Sequence, residues 1–281
     1  MPAIDPPSVS IIMPVYNAGA LLDRAFKSVF AQTFRDFELV IVDDGSTDPA
    51  TRKRLDAVRS QPNVQVHRQA NRGPAHARNF AIAESRGQYI CPLDADDWLH
   101  PRFLQRTATA LDTSPTHAIA HTWVRKVGDH TGVWRTGPFD LPSLLARCTL
   151  HVTALYRRQV WMAVGGYDAQ FKESFEDWDF WIAAASRGFL ACEIPETLAY
   201  YRRSPGSREQ TARDPEIAAR LMQTLVAKHR TLYAQHLDTT LGRLFAEKAA
   251  ASLLLDRFYS LPGIRWAVKA REQLRQARLL S

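Results

Sequence analysis

The first hundred residues alternate short uncharged runs of β-branched and aliphatic side chains with stretches of helical spacing. No other feature of the chain constrains its fold as strongly. Residues 9–15 (VSIIMPV) read as a buried strand. Asn17 precedes a stretch in which Leu22, Phe26, Val29 and Phe30 fall at i, i+4, i+7 and i+8, the apolar face of a helix. Residues 37–43 (FELVIVD) repeat the strand pattern. Ser46 and Thr47 can then cap a helix with Pro49 in its first turn. A third strand is expected at 63–68, and a third helix at 74–86 ended by Gly87. A fourth strand follows at 88–93, with Pro101 opening the next helix. Three β-α units in about 90 residues imply an α/β fold, a mostly parallel sheet with helices on both faces.

The middle of the chain is less regular. Strands are expected at 117–125 and 131–135 around a Gly-Asp-His turn, and at 152–157. A helix is expected at 176–188, closed by Gly188, followed by two short strands, 189–194 and 197–202, broken by Pro195. From Pro215 the pattern becomes helical, at about 215–236, 239–259 and 262–279. The polar segment PGSREQTARD, 205–214, marks a boundary. The expected division is a catalytic domain at 1–208, with its nucleotide part at 8–98 and its acceptor part at 99–208, and a helical region at 209–281.

Composition removes several classes of function. Hydrophobic residues make up 46% and charged residues 23% of 281, which excludes a disordered chain. No run reaches the roughly 18 apolar residues of a spanning helix. The start, MPAIDPPSVS, lacks the basic and apolar segments of a secretory signal. Cys91, Cys148 and Cys192 are odd in number and far apart, which excludes a disulfide framework and fits a reducing, cytoplasmic location. The net charge of +7 is unevenly distributed. Residues 1–219 carry 25 basic and 25 acidic side chains, whereas 220–281 carry 11 and 4. A basic tail suggests an anionic surface, lipid or nucleic acid.

The motifs of dinucleotide folds, phosphate-loop ATPases and serine hydrolases are absent. His117 and His121 sit four apart, but in a strand-like segment, where they share a face only loosely and read as a plain surface pair rather than metal ligands. What remains is acid at strand ends, where parallel sheets bind ligands: Asp43 and Asp44 after the second strand, and Asp94, Asp96 and Asp97 after the fourth. Each cluster alone reads as a solvated turn. Two such clusters at neighbouring strand ends repel unless something positive lies between them, and a divalent cation carrying a diphosphate is the natural candidate.

Five segments taken together resemble the inverting family 2 glycosyltransferases, which have the GT-A fold. They are VSIIMPVYN (9–17), QTFRDFELVIVDDGSTD (32–48), NRGPAHARN (71–79), GQYICPLDADDW (87–98) and FEDWDFW (175–181). The resemblance covers about residues 8–205 and implies a role for each site residue. Pro14 and Tyr16 contact the nucleotide base, although Tyr16 reads equally as a packing aromatic. Asp44 accepts a hydrogen bond from a uracil N–H. Arg78, with Arg72 the weaker candidate, pairs with phosphate. Asp94 faces the ribose and Asp96 binds Mn²⁺ or Mg²⁺, which neutralises the departing nucleoside diphosphate. Asp97 is structural, capping the helix that begins at His100 or Pro101. Asp177 is the base that takes the proton of the attacking hydroxyl, and Glu176 orients the acceptor. Asp179 is read as a first-turn charge favoured by the helix dipole. Trp178 and Trp181 read as a sugar-stacking surface or as core, and Gly165-Gly166-Tyr167 shapes the acceptor side.

One position departs from the family pattern. Ser204 stands where many relatives have a histidine that can ligate the metal. Asp96 with diphosphate and water, or positive charge from Arg202 or Arg203, would then carry that duty. The implied activity is inverting transfer of a sugar from a nucleotide-sugar, a UDP-sugar by the Asp44 argument, to a hydroxyl of a glycan or lipid-linked glycan, as in bacterial surface polysaccharide synthesis. The alternative is a non-catalytic nucleotide-sugar-binding or scaffold protein with the same fold. The final segment 262–281 carries Arg265, Lys269, Arg271, Arg275 and Arg278 against Glu272 alone, with Ile264, Trp266, Val268 and Leu274. It is expected to touch an anionic membrane at the inner face of the plasma membrane, or to join a helical bundle or homodimer contact. No nucleic-acid motif accompanies it.

Overall fold

The computed structural model describes residues 6–129, 131–203, 208 and 214–260. The first part runs β1 (Val9–Val15), α1 (Leu21–Phe30), β2 (Phe37–Asp43), α2 (Pro49–Val58), β3 (Val64–Arg68), α3 (Pro74–Glu84) and β4 (Tyr89–Pro92). Its strands are parallel in the order β3-β2-β1-β4, with Ile11 opposite both Leu39 and Cys91. Alternate side chains divide the core into two layers. Ile11, Met13 and Leu39 join Leu22 and Val29 of α1 on one face, while Ile12, Val40 and Val42 join Ala77 and Ala81 of α3 on the other.

Past β4 the sheet becomes mixed. It continues through β8 (Leu155–Arg157), β6 (His117–Gly128), β9 (Leu190–Arg203) and β5 (Trp98–Leu99), with β7 (Gly132–Trp134) paired to β6. The two short strands expected at 189–194 and 197–202 are one strand. Pro195 and Glu196 are accommodated by a register shift, Ile194 facing Thr122 and Thr197 facing Trp123. The remaining helices are α4 (Phe103–Asp112), α5 (Leu141–Ala146), α6 (Arg158–Val164), α7 (Glu176–Ser186), α8 (Pro215–Lys228), α9 (Arg230–Gln235) and α10 (Leu237–Ser260).

Several local expectations are corrected. The cap of α2 is Asp48, whose carboxylate accepts from the backbone of Ala50 and Thr51. The Thr47 and Asp48 amides instead donate to the Asn17 side chain, which ties the end of β1 to the start of α2. α3 ends at Glu84, and Gly87 is needed for close approach instead: a Cβ there would lie 2.5 Å from Ser10 Oγ. Asp97 caps no helix. It is buried and accepts from the backbone N–H of Arg202 at 2.8 Å, which ties the turn after β4 to β9. His117 and His121 are held by separate partners, Ser114 and Thr136.

The C-terminal helices pack on the body. Leu221 and Leu225 of α8 are buried in the same cluster as Phe180 and Trp181 of α7. Tyr233 Oη donates to the Leu145 carbonyl, and Arg243 of α10 reaches Ser143 and Asp140 of the α5 start. The expected helix at 215–236 is interrupted at His229. The sequence boundary at 205–214 falls almost wholly outside the described residues, and so do Ser204 and the helix expected at 262–279. Among the described residues no helix is long and apolar enough to cross a membrane.

Candidate active site

A cavity of about 980 Å³ opens at the carboxyl ends of β1, β2 and β4. That volume is at the upper end of small-molecule sites, enough for a ligand larger than a nucleoside alone. Pro14 and Tyr16 from the end of β1, and Asp44 just past β2, line one part of it. Asp94 and Asp96 from the turn after β4 line the middle, and Glu176 and Asp177 from the first turn of α7 line the far side. The structure thus brings all the expected acidic site residues to one cavity. Tyr16 is half exposed at the rim, so it is not a packing aromatic.

Asp44 is nearly saturated. Its Oδ1 accepts from Gln69 Nε2 at 2.7 Å and from the Arg72 amide at 2.8 Å, and its Oδ2 accepts from the Gly73 amide at 2.8 Å. A carboxylate has about four acceptor positions, so one remains on Oδ2. The loop 69–73 therefore folds over the end of β2 because Asp44 holds it. Gly45 permits the approach with φ +78°; a Cβ there would fall 2.8 Å from the Asn71 nitrogen.

Arg78, expected to pair with phosphate, lines the cavity and is held by two carboxylates. Its side chain is 1% exposed, with Nη1 on Glu176 Oε1 at 2.7 Å and Nη2 on Asp94 Oδ1 at 2.5 Å. The guanidinium bridges the acids after β4 to the first turn of α7, since a buried arginine must be paired, while its Nε has no hydrogen-bond partner among the described residues. Part of the positive charge that the cluster after β4 requires is thus the protein's own. Arg208 adds a second cation that sequence reasoning missed, 2.9 Å from Glu176 Oε1 and 3.9 Å from Asp94 Oδ2. It lies in the polar segment read as a boundary, and nothing in its spacing marks it.

The first turn of α7 is locally strained. Phe175, just before it, has φ +76°, a left-handed conformation costly for an aromatic residue. Its ring packs edge-on against Trp178, and its carbonyl accepts the Asp179 amide. Burial and the Glu176 charge push the Asp177 carboxyl up to about 7. Burial acts on Glu176 as well, but Arg208 and Arg78 outweigh it and hold that carboxyl below the usual range. Asp94, partly buried, is likewise held down by Arg78 and Arg208 against the cost of burial. Asp96 is pushed up to about 6 by burial and by Asp94, and no side chain among the described residues hydrogen-bonds it.

Other expected residues have structural duties. Trp181 is fully buried and serves the core, whereas Trp178 is nearly fully buried, with its indole N–H on the Leu144 carbonyl, and also lines the cavity. Gly166 lies against α3, where Asn79 Oδ1 accepts from Trp161 and from the Tyr167 amide. Asp179 is buried and paired with Lys228 and His229 of the C-terminal helices, more than a dipole contact.

The profile of the family described as Glycosyl transferase family 2 matches residues 10–178. The chain is 28% identical over 187 residues to chondroitin synthase of Escherichia coli, covering 65% of this chain and 27% of that protein. It spans about a third of the length of two Rickettsia glycosyltransferases that it also resembles. The structure of S. aureus TarS 1-349 in complex with UDP-GlcNAc superposes with a TM-score of 0.69 at 22% identity, over 84% of this chain and 73% of that one. The mannosyltransferase PcManGT from Pyrobaculum calidifontis, in complex with GDP-Man and Mn²⁺, superposes with a TM-score of 0.58 at 19% identity, over 98% and 86%. The curled, largely parallel sheet with flanking helices is the GT-A fold, and the chain belongs to glycosyl transferase family 2.

Proposed function

We propose that the protein transfers a sugar from a nucleotide-sugar donor to a hydroxyl of a glycan or lipid-linked glycan, with inversion at the anomeric carbon. The observation that carries this reading is Asp177, a carboxyl pushed up to about 7 in the wall of a large cavity that also holds Asp94 and Asp96. A base poised near neutrality is about half ionised at pH 7 and largely ionised by pH 8, and can then accept the proton of an attacking hydroxyl. One in-line displacement needs no covalent nucleophile. The donor is a UDP-sugar in this reading: the last acceptor position of Asp44 would take the N–H of a uracil, with Pro14 and Tyr16 lining the same part of the cavity. The binding of UDP-GlcNAc by TarS supports that choice.

The donor set of the site fits Mn²⁺ or Mg²⁺. Asp96 offers a hard oxygen ligand with no competing side-chain hydrogen bond among the described residues. Those residues contain no group of three or more His, Cys, Asp or Glu able to hold a metal, so diphosphate and water would complete the shell. When bound, the metal supplies charge neutralisation to the departing nucleoside diphosphate. Mn²⁺ beside GDP-Man in the Pyrobaculum enzyme supports this assignment. The protein's own residues do the rest. Asp177 takes the proton, Arg78 fixes Glu176 against Asp94, and the loop held by Asp44 covers the donor.

Membrane contact through 262–281, at the inner face of the plasma membrane, and a homodimer contact through the C-terminal helices belong to the same proposal and rest on sequence. The test of the activity is a screen of nucleotide-sugars for transfer and slow hydrolysis, with product anomers read by NMR. Inverted product from a UDP-sugar is expected, and retained configuration rejects the mechanism.

A further inference from the structure

Asp179 follows Asp177 by two positions on α7, so the two side chains project about 200° apart around the helix. Asp177 faces the cavity, and Asp179 is buried against the C-terminal helices. Both oxygens of Asp179 are taken there. Oδ1 accepts from His229 Nε2 at 2.8 Å and Oδ2 from Lys228 Nζ at 2.8 Å. Lys228 also donates to Asp168 Oδ2 at 2.6 Å and lies 5.8 Å from the ring centre of Phe171. One ammonium thus joins the helix that carries the base to the segment following Gly166.

We propose that Lys228 and His229 are positioning residues for the transfer reaction, fixing the roll of α7 through Asp179 and the acceptor-side segment through Asp168. This rests on the reading of Asp177 as the base. α7 starts from a strained Phe175 and is pulled from two sides, by Arg78 and Arg208 on Glu176 and by Lys228 and His229 on Asp179. A buried carboxylate persists only when paired and hydrogen-bonded, so the second pull is a firm one. Lys228 also ends α8, where a cation is favoured by the helix dipole. A carboxyl about 6 Å from the helix axis moves by roughly 1 Å when the helix rolls by about 10°, and a shift of that size can cost about a hundredfold in rate. Among the described residues the side chains of Lys228 and His229 bond Asp168 and Asp179 and no group of β1 to β4. Loss of this node should therefore spare donor binding and fall on the acceptor and on turnover.

The experiment compares the full wild-type chain with Lys228→Met, Lys228→Arg and His229→Gln. It reads amide hydrogen exchange at 175–181, kcat, KM for donor and acceptor, and Tm. Lys228 is one-third exposed and His229 still serves Asp179 in its absence, so Lys228→Met should fold. In Lys228→Met the start of α7 should exchange faster, kcat should fall about tenfold and acceptor KM should rise, with donor KM unchanged and Lys228→Arg restoring most of the loss. Exchange at 175–181 and kcat both within twofold of wild type in Lys228→Met overturn the proposal. So does a loss of rate that merely follows Tm and is not restored by arginine. A wild type that transfers no sugar defeats the functional reading, and the exchange data alone then decide whether Lys228 holds α7.

Discussion

Glu176 and Asp177 are neighbours in the first turn of α7, and their carboxyls are displaced in opposite directions. Both are buried. Arg78 and Arg208 bond Glu176 Oε1 at 2.7 and 2.9 Å and keep it ionised. Asp177 accepts from the Trp178 amide on Oδ1, and burial and the repulsion of Glu176 outweigh that bond and the more distant Arg78 and Arg208, so it rises to about 7. Two adjacent carboxyls driven apart in this way divide the labour: one is a fixed charge, the other can exchange a proton.

The pH profile of turnover follows. Asp177 must be ionised to act as a base, so kcat should fall on the acid side of a limb near 7. Asp177→Asn should lose roughly a hundredfold or more while keeping donor affinity. The same shift has a stability consequence. The folded Asp177 holds its proton to about 7, whereas the unfolded one loses it near the ordinary 3.8. Its contribution is full below that lower value and is lost as pH rises through 7. Relative to wild type, Asp177→Asn should therefore gain stability between pH 4 and 7.5. A urea titration series across that range checks the sign.

Arg78 should matter first for folding. Arg78→Met leaves Glu176 without one of its two cations and Asp94 without its close partner. Breaking a buried pair by removing one member costs about 3–5 kcal/mol. Arg78→Lys should recover part of this, because an ammonium cannot bridge both carboxylates with the same fork. Equilibrium unfolding of the two variants measures the difference, and a cost below about 1 kcal/mol would mean Arg208 replaces it.

Much of this was legible in sequence and some was not, for physical reasons. β1, β2 and the acids at their ends announce themselves through local pattern and position in the chain. The pairing of Arg78 with Glu176, 98 positions away, has no local signature, because buried ion pairs are set by tertiary geometry. Asp97 looked like a cap because Asp caps helices often, and its real partner, the Arg202 amide, is 105 positions off. Pro195 looked like a strand break because proline cannot join a ladder, but the register shift absorbs it. Arg208 and the Lys228–His229 pair sit in segments whose composition marks only a boundary and a helix.

Metal dependence is expected to act through Asp96. Asp96→Ala should lose the part of UDP affinity that EDTA removes from wild type, and should abolish turnover. Calorimetry of UDP binding with Mn²⁺ and with EDTA separates the two contributions. Equal wild-type affinity in both would leave Asp96 without a metal role.

The basic segment 262–281 is testable without reference to its structure. Five basic side chains against one acid predict attraction to anionic vesicles, at about 1 kcal/mol per basic residue near the surface and weakening with salt. Co-sedimentation of the full chain should exceed that of a chain ending at residue 260. Equal, weak binding by both would assign the segment to packing.

Gly45→Ala tests whether the loop over the donor is held in the way the structure implies. Gly45 has φ +78°, and a methyl there would meet the Asn71 amide nitrogen at 2.8 Å and the Gln69 carbonyl at 3.4 Å. Both are backbone atoms, so the contact cannot be relieved by turning a side chain. The loop must move, and moving it strains the three hydrogen bonds from Gln69, Arg72 and Gly73 to Asp44. A strained backbone and a displaced loop together should cost about 1–3 kcal/mol of stability. The kinetic effect should fall on the donor: KM for the nucleotide-sugar rises, while kcat at saturation changes little, because uniform binding is lost and α7 is untouched. Asp44→Asn should give the same direction of change by a different route. It keeps one acceptor oxygen and turns the other position into a donor that faces an amide. If Gly45→Ala lowers kcat as strongly as it raises donor KM, the loop reaches the reacting atoms and not only the nucleotide.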